Sequence, residues 1–235
     1  ERVARPLRSM GALIDTTEGK PPVRIHPVNR LQAIEYDLPM ASAQVKSAIM
    51  LAALSAEGTT RLTEPAPTRD HTERMLRAFG VQVDSGAGRV SLAGGQRLHG
   101  TRIAVPGDFS SAAFFLVAGC LAGAGGFTIE NVGINPTRTG LLDILRLMGA
   151  DIRVHVRPEA GGEPVADLEL RASTLHGIRV PQELVPLAID EFPVLFIAAA
   201  AAQGETVVTG AEELRVKESD RLAVMAEGLG TLGIP

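Results

Sequence analysis

The chain has 235 residues and a formal net charge of −4, and its 45% hydrophobic and 21% charged content is the balance of a globular protein with enough chain to bury a core. Aromatic residues make up 3%, with no Trp and a single Tyr, which excludes the basic, ring-lined groove of a single-stranded nucleic-acid binder. The single cysteine, Cys120, excludes an internal disulfide framework and a multi-cysteine zinc site.

At roughly 150 residues per domain, the length predicts one or two domains. Glu1-Arg2-Val3-Ala4-Arg5 has no apolar signal-peptide core. Three later segments then share one layout. In the first, Ser42 opens an apolar helix that reaches toward Gly58, Thr59-Thr60-Arg61-Leu62 reads as a strand, and an amphipathic helix ends in Leu76-Arg77-Ala78-Phe79-Gly80 before the alternating Val81-Gln82-Val83. In the second, Ser110 opens the helix and Gly123-Ala124-Gly125-Gly126 closes it. Phe127-Thr128-Ile129 is the strand, and a helix ending in Leu145-Arg146-Leu147-Met148-Gly149 leads into Asp151-Ile152-Arg153-Val154-His155-Val156. The third runs from Asp190-Glu191-Phe192-Pro193 to Gly204, through Thr206-Val207-Val208 and extra residues at 212–218, to a helix near Leu232-Gly233. Ser42 is as far from Gly58 as Ser110 is from Gly126, and Arg69 is as far from Gly80 as Arg138 is from Gly149. A period of about 70 residues is too long for the common solenoids, so a duplicated α/β unit (α+β in some schemes) building a layered domain is expected. The apolar stretches 112–126 and 192–202 fall short of the ~20 residues a bilayer demands. Rich in small residues, they read as tightly packed buried helices of a cytoplasmic protein with no membrane role.

Ser42 and Ser110 suit the caps of their helices, and Asp190 precedes a helix whose Pro193 fits the opening turn. Such helix starts attract anions, and if the repeats pack side by side several would face one cleft. Most caps bind nothing, so Ser42 and Asp190 stand open between simple capping and ligand binding. The run Arg215-Val216-Lys217-Glu218-Ser219-Asp220-Arg221 is the densest charge cluster. If 217–221 is helical, Lys217 and Arg221 share one face with Glu218 a turn from Arg221, which suits a phosphorylated or carboxylated substrate. A solvated face with internal ion pairs is the alternative. In Thr68-Arg69-Asp70-His71-Thr72-Glu73-Arg74, Asp70 and Glu73 mark a helix start, with Arg69 placed to grip a phosphate beside the exposed amides. Cys120 sits in an apolar run and is assigned to the core. The five histidines are scattered and no phosphate loop is present, so chemistry without metal or cofactor is expected.

Taken together, Leu38-Pro39-Met40-Ala41-Ser42-Ala43-Gln44-Val45-Lys46-Ser47, Pro67-Thr68-Arg69-Asp70-His71-Thr72-Glu73, Asn135-Pro136-Thr137-Arg138-Thr139-Gly140, Asp190-Glu191-Phe192-Pro193 and the 215–221 run resemble the 3-phosphoshikimate 1-carboxyvinyltransferase (EPSP synthase) family, in a form like its bacterial class II. The resemblance implies a fold of two similar domains built from β-α-β-α-β-β units. The domain pieces here would be residues 1–105 and 106–235, changing over near Pro106-Gly107-Asp108. It also implies transfer of an enolpyruvyl group from phosphoenolpyruvate to the 5-hydroxyl of shikimate 3-phosphate by a monomer needing no metal or cofactor. By that resemblance Ser42, Ala43, Gln44, Arg69, Asp190 and Lys217 would hold shikimate 3-phosphate, and Gln44 and Arg221 phosphoenolpyruvate. Asp190 would take the proton of the attacking hydroxyl, and Glu218 would serve proton transfer near the enolpyruvyl carbon. Family members are much longer, and several of their phosphoenolpyruvate contacts have no counterpart here. Arg5-Pro6-Leu7 is not their Arg-Pro-Met motif, because Met10-Gly11 fixes a later register. The chain thus looks like a central fragment, expected to turn over little or not at all. A transferase acting on a nucleotide sugar, which would employ a cysteine, and a folded remnant without turnover are the alternatives.

Overall fold

Each apolar helix of the repeat starts where the chain offers an acceptor or a proline for its first free amides, but not always at the residue the spacing suggests. The computed structural model describes residues 1–122 and 125–234, which fall into two units, Glu1–Ile103 and Ala104 onward.

In the first unit, α1 (Ala4–Ser9) precedes the antiparallel pair β1 (Leu13–Thr17) and β2 (Lys20–His26), which no sequence pattern announced. Then come β3 (Leu31–Gln32), β4 (Glu35–Asp37), α2 (Ala43–Ala53), β5 (Ala56–Glu57), β6 (Thr59–Thr63), α3 (His71–Ala78), β7 (Val83–Gly86) and β8 (Arg89–Ala93). A four-stranded sheet runs β4-β6-β8-β7, with β4 parallel to β6 and the remaining pairs antiparallel. Val45, Ile49, Leu62, Leu76, Val90 and Leu92 form the core of this unit together with Leu38 and Met10. Ser42 Oγ accepts from Val45 N at 3.4 Å and caps α2 as expected. Val81 and Gln82 lie outside the strand, because the chain is still turning out of α3 there: Gly80 N donates to Arg77 O and Val81 N to Leu76 O, each at 2.9 Å.

That pairing is a Schellman closure, and it recurs. Gly149 N bonds Arg146 O with Ala150 N on Leu145 O, and Gly233 N bonds Gly230 O with Ile234 N on Leu229 O. All three glycines adopt positive φ, of 85°, 100° and 81°, so a side chain at any of them would strain the turn. The mid-repeat glycines behave differently. Gly58 does not stop α2, which ends at Ala53; at φ 95° it turns the chain into β6.

The second unit contains α4 (Phe109–Leu121), β9 (Gly126–Gly133), α5 (Gly140–Leu147), β10 (Asp151–Ala160), β11 (Glu163–Arg171), α6 (Phe192–Ala201) and α7 (Arg221–Thr231). Strands β10, β11 and β9 form an antiparallel sheet in that order. Asp108, not Ser110, caps α4: its Oδ2 accepts from Ser111 N at 2.8 Å, so the helix begins before the serine pair. Gly123 and Ala124 of the expected closing stretch lie outside the described residues, and Gly126 opens β9 instead of ending the helix. Thr206-Val207-Val208 forms no strand; Val207 makes only an isolated bridge to Arg179. The scarcity of rings is met by close approach. A Cβ on Gly119 would lie 2.9 Å from the Phe127 ring, so this glycine lets α4 sit on β9. Among the described residues no helix is long and apolar enough to cross a membrane.

Cys120 is 0% exposed inside this packing, and burial pushes its thiol up to about 11. At pH 8 the thiolate is therefore scarce and shielded. Iodoacetamide is expected to leave the folded chain unlabelled over an hour and to label it fully in denaturant. Rapid labelling of the native protein, read by mass, would contradict this placement.

Candidate active site

In the first unit, the starts of α2 and α3 lie side by side. Ser47 Oγ and Thr72 Oγ1 are 2.6 Å apart, and the Lys46 ammonium reaches Glu73 Oε1 at 2.8 Å. Ser42 is buried, while Gln44 is exposed on the same first turn. Arg69, half-buried, immediately precedes Asp70, the N-terminal flanking residue of α3. The Asp70 side chain makes no capping bond; its Oδ2 accepts from Arg74 Nε at 2.9 Å instead. This unit therefore offers a capped helix start with an exposed amide side chain on its first turn, and an arginine directly before the neighbouring helix, residue types suited to an anionic ligand. Arg2 also donates to Ser42 Oγ at 3.0 Å. Nothing in the sequence tied it to that serine.

In the second unit, the charge cluster is assembled differently from the expected helical face. Residues 212–216 form a 3-10 turn, Lys217 is extended at ψ −153°, and α7 begins only at Arg221. Asp220 Oδ1 caps α7 by accepting from Ala223 N at 3.0 Å, which prevents the helix from reaching back through Lys217. What gathers the cations is a carboxylate from elsewhere: Asp190 Oδ1 lies 3.8 Å from Lys217 Nζ and 3.5 Å from Arg221 Nη1. Asp190 is not the cap of α6, because that flanking position belongs to Glu191. The guanidinium of Arg221 also grips Glu218 with both arms, at 2.8 and 3.0 Å. That bond holds the Glu218 carboxyl below the usual carboxylate range, so Glu218 is ionised at neutral pH, and the same bond raises Arg221. Lys217 is further paired with Glu213 at 2.7 Å.

Behind Asp190 lies a second set that motif reading alone did not assign to the site. Ser110 Oγ donates to Glu191 Oε1 at 2.5 Å and accepts from Arg138 Nη2 at 2.8 Å. Arg138 also pairs with Asp108 at 3.2 Å. Asn135, 3% exposed, holds the loop that carries Arg138 by accepting from Thr137 N at 2.9 Å and donating to Glu163 at 2.9 Å. Ser110 thus fixes the buried Glu191 next in sequence to Asp190. The variant Ser110→Ala is expected to cost about 1 kcal/mol, the worth of one hydrogen bond to a buried carboxylate. Urea unfolding checks this, and an unmoved midpoint would show that the hydroxyl does not support Glu191.

A carboxylate facing two cations, with a second carboxylate on one of them, can accept a proton from a hydroxyl while the cations take up a phosphate or carboxylate. Among the described residues no cluster of His, Cys, Asp and Glu could hold a metal ion. The fold is that of the enolpyruvyl transferases. It is similar to the enolpyruvyl transferase NikO of Streptomyces tendae with a TM-score of 0.67 at 17% identity, over 88% of this chain and 50% of that one. The model of the family EPSP synthase (3-phosphoshikimate 1-carboxyvinyltransferase) matches residues 1–235, and the chain belongs to that family. It is 62% identical to the 3-phosphoshikimate 1-carboxyvinyltransferase of Halorhodospira halophila over 234 residues, which are 99% of this chain and 53% of that relative. It is also similar to the solved EPSP synthase of Acinetobacter baumannii, with a TM-score of 0.92 and 61% identity over 98% of this chain and 52% of that one. The chain therefore spans about half the length of these relatives.

Proposed function

We infer that this chain supplies part of the machinery that transfers an enolpyruvyl group from phosphoenolpyruvate to shikimate 3-phosphate, the reaction for which its curated relatives are named. The observation that carries the reading is Asp190 facing both Lys217 and Arg221. In this reading Asp190 takes the proton from the attacking hydroxyl, Lys217 holds that substrate, and Arg221 grips the phosphate or carboxylate of phosphoenolpyruvate. A guanidinium suits either anion through two parallel bonds. Glu218, ionised on Arg221, becomes available for proton transfer near the enolpyruvyl carbon when an incoming anion competes for the same guanidinium. In the first unit Ser42, the Ala43 backbone and Gln44 hold the sugar acid, with Arg69 on its phosphate and Gln44 also contacting phosphoenolpyruvate. The nucleotide-sugar reading, which called for a cysteine, is disfavoured because Cys120 is fully buried in the core.

Calorimetric titration with shikimate 3-phosphate tests this. Saturable binding is expected, weakened roughly ten- to hundredfold in Arg69→Ala, the worth of a charge-assisted contact of about 1.5–3 kcal/mol. A well-folded chain that does not bind would remove the assignment of these residues to substrate in this polypeptide.

A further inference from the structure

Lys46 is 1% exposed on an otherwise largely apolar helix, one turn beyond the Ser42 cap. Its ammonium pairs with Glu73 Oε1 at 2.8 Å and Glu64 Oε2 at 3.1 Å, and the two carboxylate side chains are only 2% and 6% exposed. A buried ion group of this kind is no general route to stability, because well-packed apolar replacements of the whole group do as well or better. What the group connects gives it another use. Glu73 lies in the first turn of α3. Glu64 directly follows β6, is anchored by its own amide on Gly88 O at 2.7 Å, and accepts the hydroxyl of Thr68 on its other carboxylate oxygen. Thr68 is the residue before Arg69. One ammonium therefore ties the first turn of α2, which carries Ser42, Ala43 and Gln44, to both sides of the Arg69 segment.

We propose that Lys46 is a positioning residue that, through Glu64 and Thr68 on one side and Glu73 on the other, sets Arg69 against the N-terminal turn of α2 for binding the phosphate of the substrate. The inference rests on the assignment of shikimate 3-phosphate to these residues and adds how the grip is held in place. Arg69 sits on a loop, and a displacement of about 1 Å is enough to lose a directed contact. The fixed Glu64–Thr68 link removes that freedom before the ligand arrives.

The test is titration of the folded 235-residue chain with shikimate 3-phosphate, followed in parallel by circular dichroism. Thr68→Val removes only the outermost link and is expected to raise the dissociation constant about tenfold, while Thr68→Ser, which keeps the hydroxyl, restores it. Lys46→Met is expected to weaken binding at least as much. If that variant fails to fold, the Thr68 pair carries the test alone. Leu92→Ala, which opens the core of the sheet away from the loop, serves as a control that lowers stability without touching the link. Unchanged affinity in Thr68→Val overturns the proposal, and so does an equal loss in Leu92→Ala, which would reduce the effect to general loosening. Absence of binding by the unaltered chain fails the substrate assignment itself. Binding by that chain with no response to Thr68→Val fails only the positioning role.

Discussion

Lys46→Met is expected to cost about 3–5 kcal/mol of folding free energy, because it leaves Glu64 and Glu73 buried without their cation. The methionine fills nearly the same volume on α2, so lost packing is a small part of the cost. Urea denaturation should show the midpoint falling sharply. Replacing Glu73 by Met in the same chain removes one of the stranded carboxylates and should recover part of the loss. A cost below about 1 kcal/mol would place the pair in the range of solvent-exposed ion pairs, and the carboxylates would then have to reach water in the variant.

This network also shows where sequence reading stops. Lys46 stands between Val45 and Ile49 in the sequence, but its partners come from the end of β6 and the start of α3, separated from it by 18 residues in the case of Glu64. Repeat spacing found the three apolar helices and the glycines after the amphipathic ones, because helix periodicity and left-handed closure are local properties. It misplaced what depends on competition between neighbours. Asp108 and Ser110 both offer a capping oxygen, and the aspartate takes the amide two residues earlier in the chain while the serine is drawn to Arg138 and Glu191. Lys217 and Arg221 read as a helical pair, yet the Asp220 cap starts α7 between them and a distant carboxylate, Asp190, brings their charges together. The pair β1 and β2 escaped because Lys20-Pro21-Pro22 breaks strand patterning, and β2 is exposed along almost its whole length. The strings that carried the family resemblance named the candidate site residues, and the arrangement those residues take comes from contacts no spacing encodes.

Asp190→Asn is expected to separate binding from chemistry. The asparagine keeps the shape and the hydrogen-bonding oxygen but withdraws the negative charge that lies 3.8 Å from Lys217 and 3.5 Å from Arg221. Two cations released from an internal counter-charge attract an anionic substrate at least as strongly, so calorimetry with shikimate 3-phosphate should give equal or tighter binding. Turnover should fall by about 10²–10⁴, the contribution of a positioned general base. Phosphate release is the readout for this loss, made on the chain joined to the remaining length that its relatives carry. The two results constrain each other. Weaker binding together with lost turnover would mean that the carboxylate was holding the cations in place rather than taking a proton, and the role of base would pass to another group. Intact binding with intact turnover would remove Asp190 from the chemistry altogether. Only retained binding with lost turnover fits a carboxylate that faces the substrate hydroxyl while its two cationic neighbours engage the anions.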